Sequence, residues 1–158
     1  MSQVAFQVSR EQVLEITQEV FTAMLDQGET LTFERFEPVP DFADPLFAWV
    51  EMHADSEFGA FTGRAVVKTE TETAHEITRS LLMLAPDEEV TEADLTDAFG
   101  EIANVVGGNV KALIDAVARL TLPQVGATPP AEDNAMFLQD LAIDWRGRVL
   151  VVSLWVLL

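Results

Sequence analysis

Hydrophobic residues recur at helical intervals in two stretches of the first half of the chain. The first stretch covers residues 10–27. Ser9 before it and Gln12 in its first turn have the arrangement of a capping box, and Gly28 follows as a possible C-cap. The second covers residues 72–84, with apolar side chains along one face. Both stretches are therefore predicted to be amphipathic helices.

Segments rich in aromatic and β-branched residues predict four longer strands. Consecutive segments are predicted to form two hairpins, and the short polar stretches at 54–57 and 146–148 are predicted to be their turns. Pro-rich or Gly-rich stretches elsewhere predict loops. The order of elements predicts an α+β fold in two layers, with helices packed on a mainly antiparallel sheet. The predicted strands are residues 46–53, 58–69, 136–145 and 148–158.

The chain ends in an apolar run, VLVVSLWVLL. The run is about half as long as a helix that crosses a bilayer, and its Val and Trp content favours a buried strand. Two positions for this strand stay open. It lies inside the sheet of its own chain, or at a sheet edge.

A third helical segment, over residues 92–114, separates polar from apolar residues most clearly. If Asp97 is placed at zero and each residue advances by ~100°, Glu101, Asn104 and Gly108 fall at ~40°, ~-20° and ~20°. One face of this helix therefore presents two acids, an amide and a glycine. The opposite face carries the apolar residues Leu95, Phe99, Ile102, Val106 and Leu113.

The glycine pair within this segment has two interpretations. Gly107 and Gly108 could end the helix, with Asn109 capping a following one. Alternatively the helix continues, and the glycines leave space for another backbone to approach. The second interpretation has to account for a cost of about 1 kcal/mol for each glycine inside a helix.

Composition narrows the possible functions. With 158 residues the chain fits one domain, residues 1–158. Nine Lys and Arg against 27 Asp and Glu give a net charge of -18, which disfavours binding to nucleic acids and to anionic membranes. The absence of cysteine excludes thiol catalysis and thiolate metal sites, and fits a cytoplasmic protein. The first ten residues lack the pattern of a signal peptide.

The spacing Asp97-x-x-x-Glu101-x-x-Asn104, followed by Gly108, resembles the signature of the CheC/CheX family of chemotaxis phosphatases. The stretches FGEIANVVGGNVKALI and LTLPQVG are also similar to that family, and closer to its CheX branch. CheC-type proteins carry the motif twice. Here the first helix offers only Glu11, Glu15 and Gln18, with Gln where the family has Asn, so a single site is expected.

The resemblance implies an activity in two-component signalling. The substrate would be the aspartyl phosphate of a CheY-like response regulator. Asn104 would position the attacking water, and Glu101 would pair with a lysine of the partner. Asp97, Gly107 and Gly108 would contact the partner. Magnesium would be held by the receiver domain, so no cofactor or metal is expected in this chain. CheX-like proteins form dimers by sheet extension, so the resemblance also implies a possible homodimer if the C-terminal strand lies at a sheet edge.

Two other functional classes are alternatives to the phosphatase. The same fold could be a non-catalytic binding module for a receiver domain or a flagellar-switch component. An unrelated hydrolase has little support, because His53 and Ser56 lie at a strand end and its turn, where polar residues are common. Neither a P-loop nor a GxGxxG pattern is present.

Pro123 follows Asn104 at a shorter interval than in the CheC branch and is given no role.

Overall fold

The computed structural model describes residues 7–57, 59–114 and 116–157. Within these residues, helices and strands follow the predicted order, so the α+β class is confirmed. Three short strands were not predicted, because three or four residues carry too little alternation to be recognised. In chain order the elements are α1 (Arg10–Met24), β1 (Thr32–Glu34), β2 (Pro45–Ser56), β3 (Gly59–Glu70), α2 (Thr71–Leu82), α3 (Glu92–Lys111), β4 (Val117–Leu120), β5 (Gln124–Gly126), β6 (Ala135–Trp145) and β7 (Arg148–Leu157).

The described strands form one seven-stranded sheet in the order β1-β6-β7-β3-β2-β4, in which neighbouring strands are antiparallel. β5 also pairs with β2, antiparallel and on the same outer side as β4. The C-terminal strand β7 lies between β6 and β3. Of the two positions open for it, the interior of the chain's own sheet is therefore correct and the sheet edge is wrong.

The helices cover one face of the sheet, and the main core lies between the two layers. Burial alternates along the strands, because every second side chain of β2 and β7 faces the helices. Trp145 is fully buried there, and its ring makes an edge-to-face contact with that of Phe21 on α1. α3 lies between α1 and α2 and over β2. One side of α3 is thus covered by the sheet while the opposite side faces away from it.

Two turns join the long strands, and one differs from its prediction. β2 continues to Ser56, which pairs with Gly59, so the hairpin turns later than the predicted stretch 54–57. The β6–β7 turn lies at Arg146 and Gly147, as predicted. Both have positive φ, 51° and 79°, which is the conformation of a type I′ turn and matches the twist of the flanking strands.

The predicted helix ends are correct to within a few residues. Ser9 and Gln12 form the capping box of α1 as expected. α1 ends at Met24, earlier than predicted, and α2 ends at Leu82 with Met83 in the left-handed conformation. Two ends of predicted strands, Phe58 and Leu158, lie outside the described residues. No described helix is long and apolar enough to cross a membrane.

Candidate functional site

α3 runs unbroken through the segment that carries the candidate residues. Thr91 caps its N-terminus by accepting a hydrogen bond from Asp94 N at 3.1 Å. The helix continues to Lys111, so the interpretation that the glycine pair ends it is wrong. Asn109 lies inside the helix, and its Nδ2 donates to Val105 O at 2.8 Å. It therefore does not cap a following helix.

The buried side of α3 is wider than the apolar residues alone predict. Small residues between the large ones are also covered, because the sheet and both neighbouring helices contact α3. Leu113, which the wheel places on the apolar face, lies beyond the last helical residue and is 40% exposed. The buried residues of α3 are Leu95, Ala98, Phe99, Gly100, Ile102, Ala103, Val106, Gly107 and Val110.

The polar side of α3 faces solvent where the sequence predicted. Asp97 and Glu101 are exposed, and Asn104 is half-buried. Among the described residues, none of the three side chains takes part in a hydrogen bond or an ion pair. Residues three apart on a helix are neighbours, with Cβ atoms about 5–6 Å apart. The carboxylate of Glu101 and the amide of Asn104 can therefore reach the same external group.

The two glycines of α3 have different surroundings. A Cβ atom on Gly107 would overlap Cγ2 of Val50 on β2, so this glycine allows the helix to approach the sheet closely. The prediction that Gly107 gives clearance to a partner is wrong for that reason. A Cβ on Gly108 would have only Leu120 Cδ2 nearby, at 4.0 Å. Gly108 remains on the accessible side, next to the polar face.

Pro123 lies beside the polar face, although no role is predicted for it. A Cβ atom on Gly100 would lie 3.5 Å from Cβ and Cγ of Pro123. Gly100 directly precedes Glu101 and is one turn from Asn104. The sequence interval between Pro123 and α3 carries no periodic pattern that would have predicted this contact. It arises because the chain returns along β2 after α3.

α1 carries a polar stripe that consists of Glu11, Glu15 and Gln18. This stripe differs from the polar face of α3. Glu11 and Glu15 are exposed, but Gln18 is half-buried and its Nε2 donates to Thr32 O at 2.9 Å. The amide of Gln18 therefore links α1 to β1. Because this amide is already hydrogen-bonded within the chain, the contact supports the expectation of a single site, on α3.

The other polar candidates have structural partners. His53 Nδ1 lies 3.0 Å from Thr62 Oγ1, and Ser56 Oγ donates to Gly59 O at 2.9 Å. Both contacts join β2 to β3 across the hairpin and do not form a nucleophile–base pair. Among the described residues no group of three or more His, Asp or Glu side chains is arranged to hold a metal ion.

Comparisons with known proteins found a matching family model and solved structures with a similar fold. The model of the family described as "Chemotaxis phosphatase CheX" matches residues 57–132, slightly under half of the chain, and this range includes all of α3. No curated protein sequence matches the chain significantly.

Several solved structures share the fold. A CheX–CheY–BeF3–Mg²⁺ complex from Borrelia burgdorferi matches with a TM-score of 0.68 and 18% identity, over 94% of this chain and 97% of that chain. CheX from Vibrio vulnificus matches with a TM-score of 0.67 and 15% identity, over 93% and 95%. A CheC-like protein from Shewanella oneidensis matches with a TM-score of 0.66 and 16% identity, over 98% and 99%.

Identities this low show the fold alone, and the family match covers residues 57–132. The chain is therefore similar to the CheX family over residues 57–132 and has the fold of the solved CheX structures, which confirms the predicted resemblance to the CheC/CheX family, closer to its CheX branch.

Proposed function

We propose that this chain hydrolyses the aspartyl phosphate of a CheY-like receiver domain, with Asn104 and Glu101 as the residues that act on the partner. The observation that carries the proposal is the state of these two side chains. They lie on the accessible face of α3 without a partner among the described residues. Polar groups held by a rigid helix but left unpaired are suited to bind an external group.

The chemistry assigned to Asn104 is positioning of water. An aspartyl phosphate is an acyl phosphate and is already reactive, so a strong base is not required. The side-chain amide offers two donors and one acceptor, enough to hold a water in line with the phosphorus atom. The water oxygen bonds to phosphorus as the bond to the aspartyl oxygen breaks, which releases inorganic phosphate and restores the carboxylate.

Glu101 is assigned to orientation of the complex. Its exposed carboxylate would form a charge-assisted hydrogen bond with a lysine of the receiver. Asp97, one turn before it, and Gly108, one turn after Asn104, would lie at the same contact. Magnesium would be bound by the receiver, so the proposal assigns no metal to this chain.

The choice of partner is supported by the Borrelia complex, which contains a CheX protein bound to CheY with BeF3 and Mg²⁺. The family match, described as a chemotaxis phosphatase, covers α3. Together with the geometry of α3, these similarities favour a phosphatase over a module that only binds.

The test is a phosphate-release assay on receiver domains from the same genome, phosphorylated with a small-molecule phosphodonor. The chain should accelerate phosphate loss from at least one receiver, and Asn104→Ala should abolish the acceleration. A complex that forms while the lifetime of the phosphoryl group stays unchanged would instead identify a non-catalytic binding module.

A further inference from the structure

Leu122 is a large apolar residue on the protein surface, where it is 86% exposed to solvent. It lies in the short link between β4 and β5. Exposed leucines are common when they are isolated on a surface. Leu122, however, lies beside α3, and its position there indicates a role in binding.

The link runs beside α3 in the opposite direction. Leu120, at its start, lies within 3.7 Å of where a Cβ on Gly107 would be. Pro123, at its end, lies within 3.5 Å of where a Cβ on Gly100 would be. Leu122 falls between these two contacts.

Leu122 is therefore level with the turn of α3 that carries Glu101 and Asn104. A surface that approached those two side chains would also meet Leu122. The polar pair and the apolar side chain would then contact one partner together.

The backbone on both sides of Leu122 is fixed. Thr121 N donates to Glu51 O at 2.8 Å, and Glu51 N donates to Thr121 Oγ1 at 2.9 Å. On the other side, the ring of Pro123 restricts φ and packs on Gly100. Little backbone freedom remains to be lost on binding, which favours a preorganised anchor.

We propose that Leu122 is a docking residue that enters an apolar depression beside the phosphorylated aspartate of the receiver. The inference rests on the proposed function, because it uses the same partner and the same face of α3. Glu101 and Asn104 exchange hydrogen bonds with water for hydrogen bonds with the partner, so only part of the energy of each new bond appears as affinity. Burial of a leucine side chain would supply affinity that does not depend on the chemical step.

The experiment measures the dissociation constant of the chain with a receiver loaded with beryllofluoride and Mg²⁺, a mimic of the phosphorylated state. Leu122→Ala should weaken binding about tenfold or more, and Leu122→Met, which conserves volume, should restore most of it. The matched control is Phe36→Ala. Phe36 is also 86% exposed, but it follows β1 at the opposite edge of the sheet, so binding should not change.

Two outcomes would overturn the docking role: unchanged binding in Leu122→Ala, or an equal loss in Phe36→Ala. Failure of the proposed function is a separate result, seen when Asn104→Ala releases phosphate as fast as the wild-type chain. A tenfold loss of affinity in Leu122→Ala, reversed by Leu122→Met, would establish the docking residue whatever the rate of turnover.

Discussion

At the scale of single residues, identical neighbours in sequence have different physical roles. Gly107 and Gly108 both lie inside α3, where a glycine costs about 1 kcal/mol relative to alanine. Gly107 is required because Val50 occupies the space of its missing side chain. Gly108 has room for a methyl group, so packing within the chain does not explain it, and contact with a partner remains the proposal.

The two glycines should therefore respond in opposite directions to the same substitution. Gly107→Ala should lower the free energy of unfolding by about 1–3 kcal/mol, because the added methyl forces α3 away from β2. Gly108→Ala should raise it by up to about 1 kcal/mol through helix propensity. Urea unfolding of the two variants measures both changes. Equal effects in the two variants would contradict the difference in packing.

At the scale of elements, α1 and α3 present similar polar stripes but use them differently. The amide of Gln18 is bound to the backbone of β1, whereas Asn104 has no partner among the described residues. A sequence pattern shows that an amide lies on a helix face, but its hydrogen bonds depend on which element packs beside it.

Substitution on α1 should thus affect stability and not activity. Gln18→Ala should cost about 1 kcal/mol, because Thr32 O loses its donor, while phosphate release from the receiver stays at the wild-type rate. Glu15→Ala, an exposed residue of the same stripe, should change neither quantity. A loss of turnover in Gln18→Ala would indicate a second site and contradict the assignment to α3 alone.

The long elements and the polar face of α3 could be predicted because their spacing repeats over many residues. The parts that were missed depend on contacts between distant segments. β4 is recognised as a strand only through its pairing with β2, and the position of Pro123 against Gly100 follows from that pairing. The burial of Gly107 likewise depends on Val50, which lies far away in sequence.

At the scale of the whole molecule, one sheet extends through the described chain and one hydrophobic cluster joins it to all three helices. β7 lies inside that sheet, so the apolar C-terminal run is not available to pair with a second copy. A homodimer remains a prediction that would need a different surface. Light scattering would measure the oligomeric state.

A single core predicts one cooperative unfolding transition for residues 1–158. Far-ultraviolet circular dichroism reports the helices, and tryptophan fluorescence includes the contribution of Trp145, which is fully buried in the core. The two signals should change at the same urea concentration. Separate midpoints would show that the chain contains more than one domain.

The central claim is that the amide of Asn104 acts on the phosphoryl group of the partner. The most direct measurement compares the rates at which Asn104→Ala and Asn109→Ala accelerate phosphate loss from a phosphorylated receiver. Asn109 is a matched control, because it lies on the same helix and is exposed, but it is bonded to Val105 O.

Asn104→Ala should lower the rate by about 10²–10³, the usual contribution of one positioned polar group, while Asn109→Ala keeps the wild-type rate. Turnover by Asn104→Ala at the wild-type rate would contradict the account.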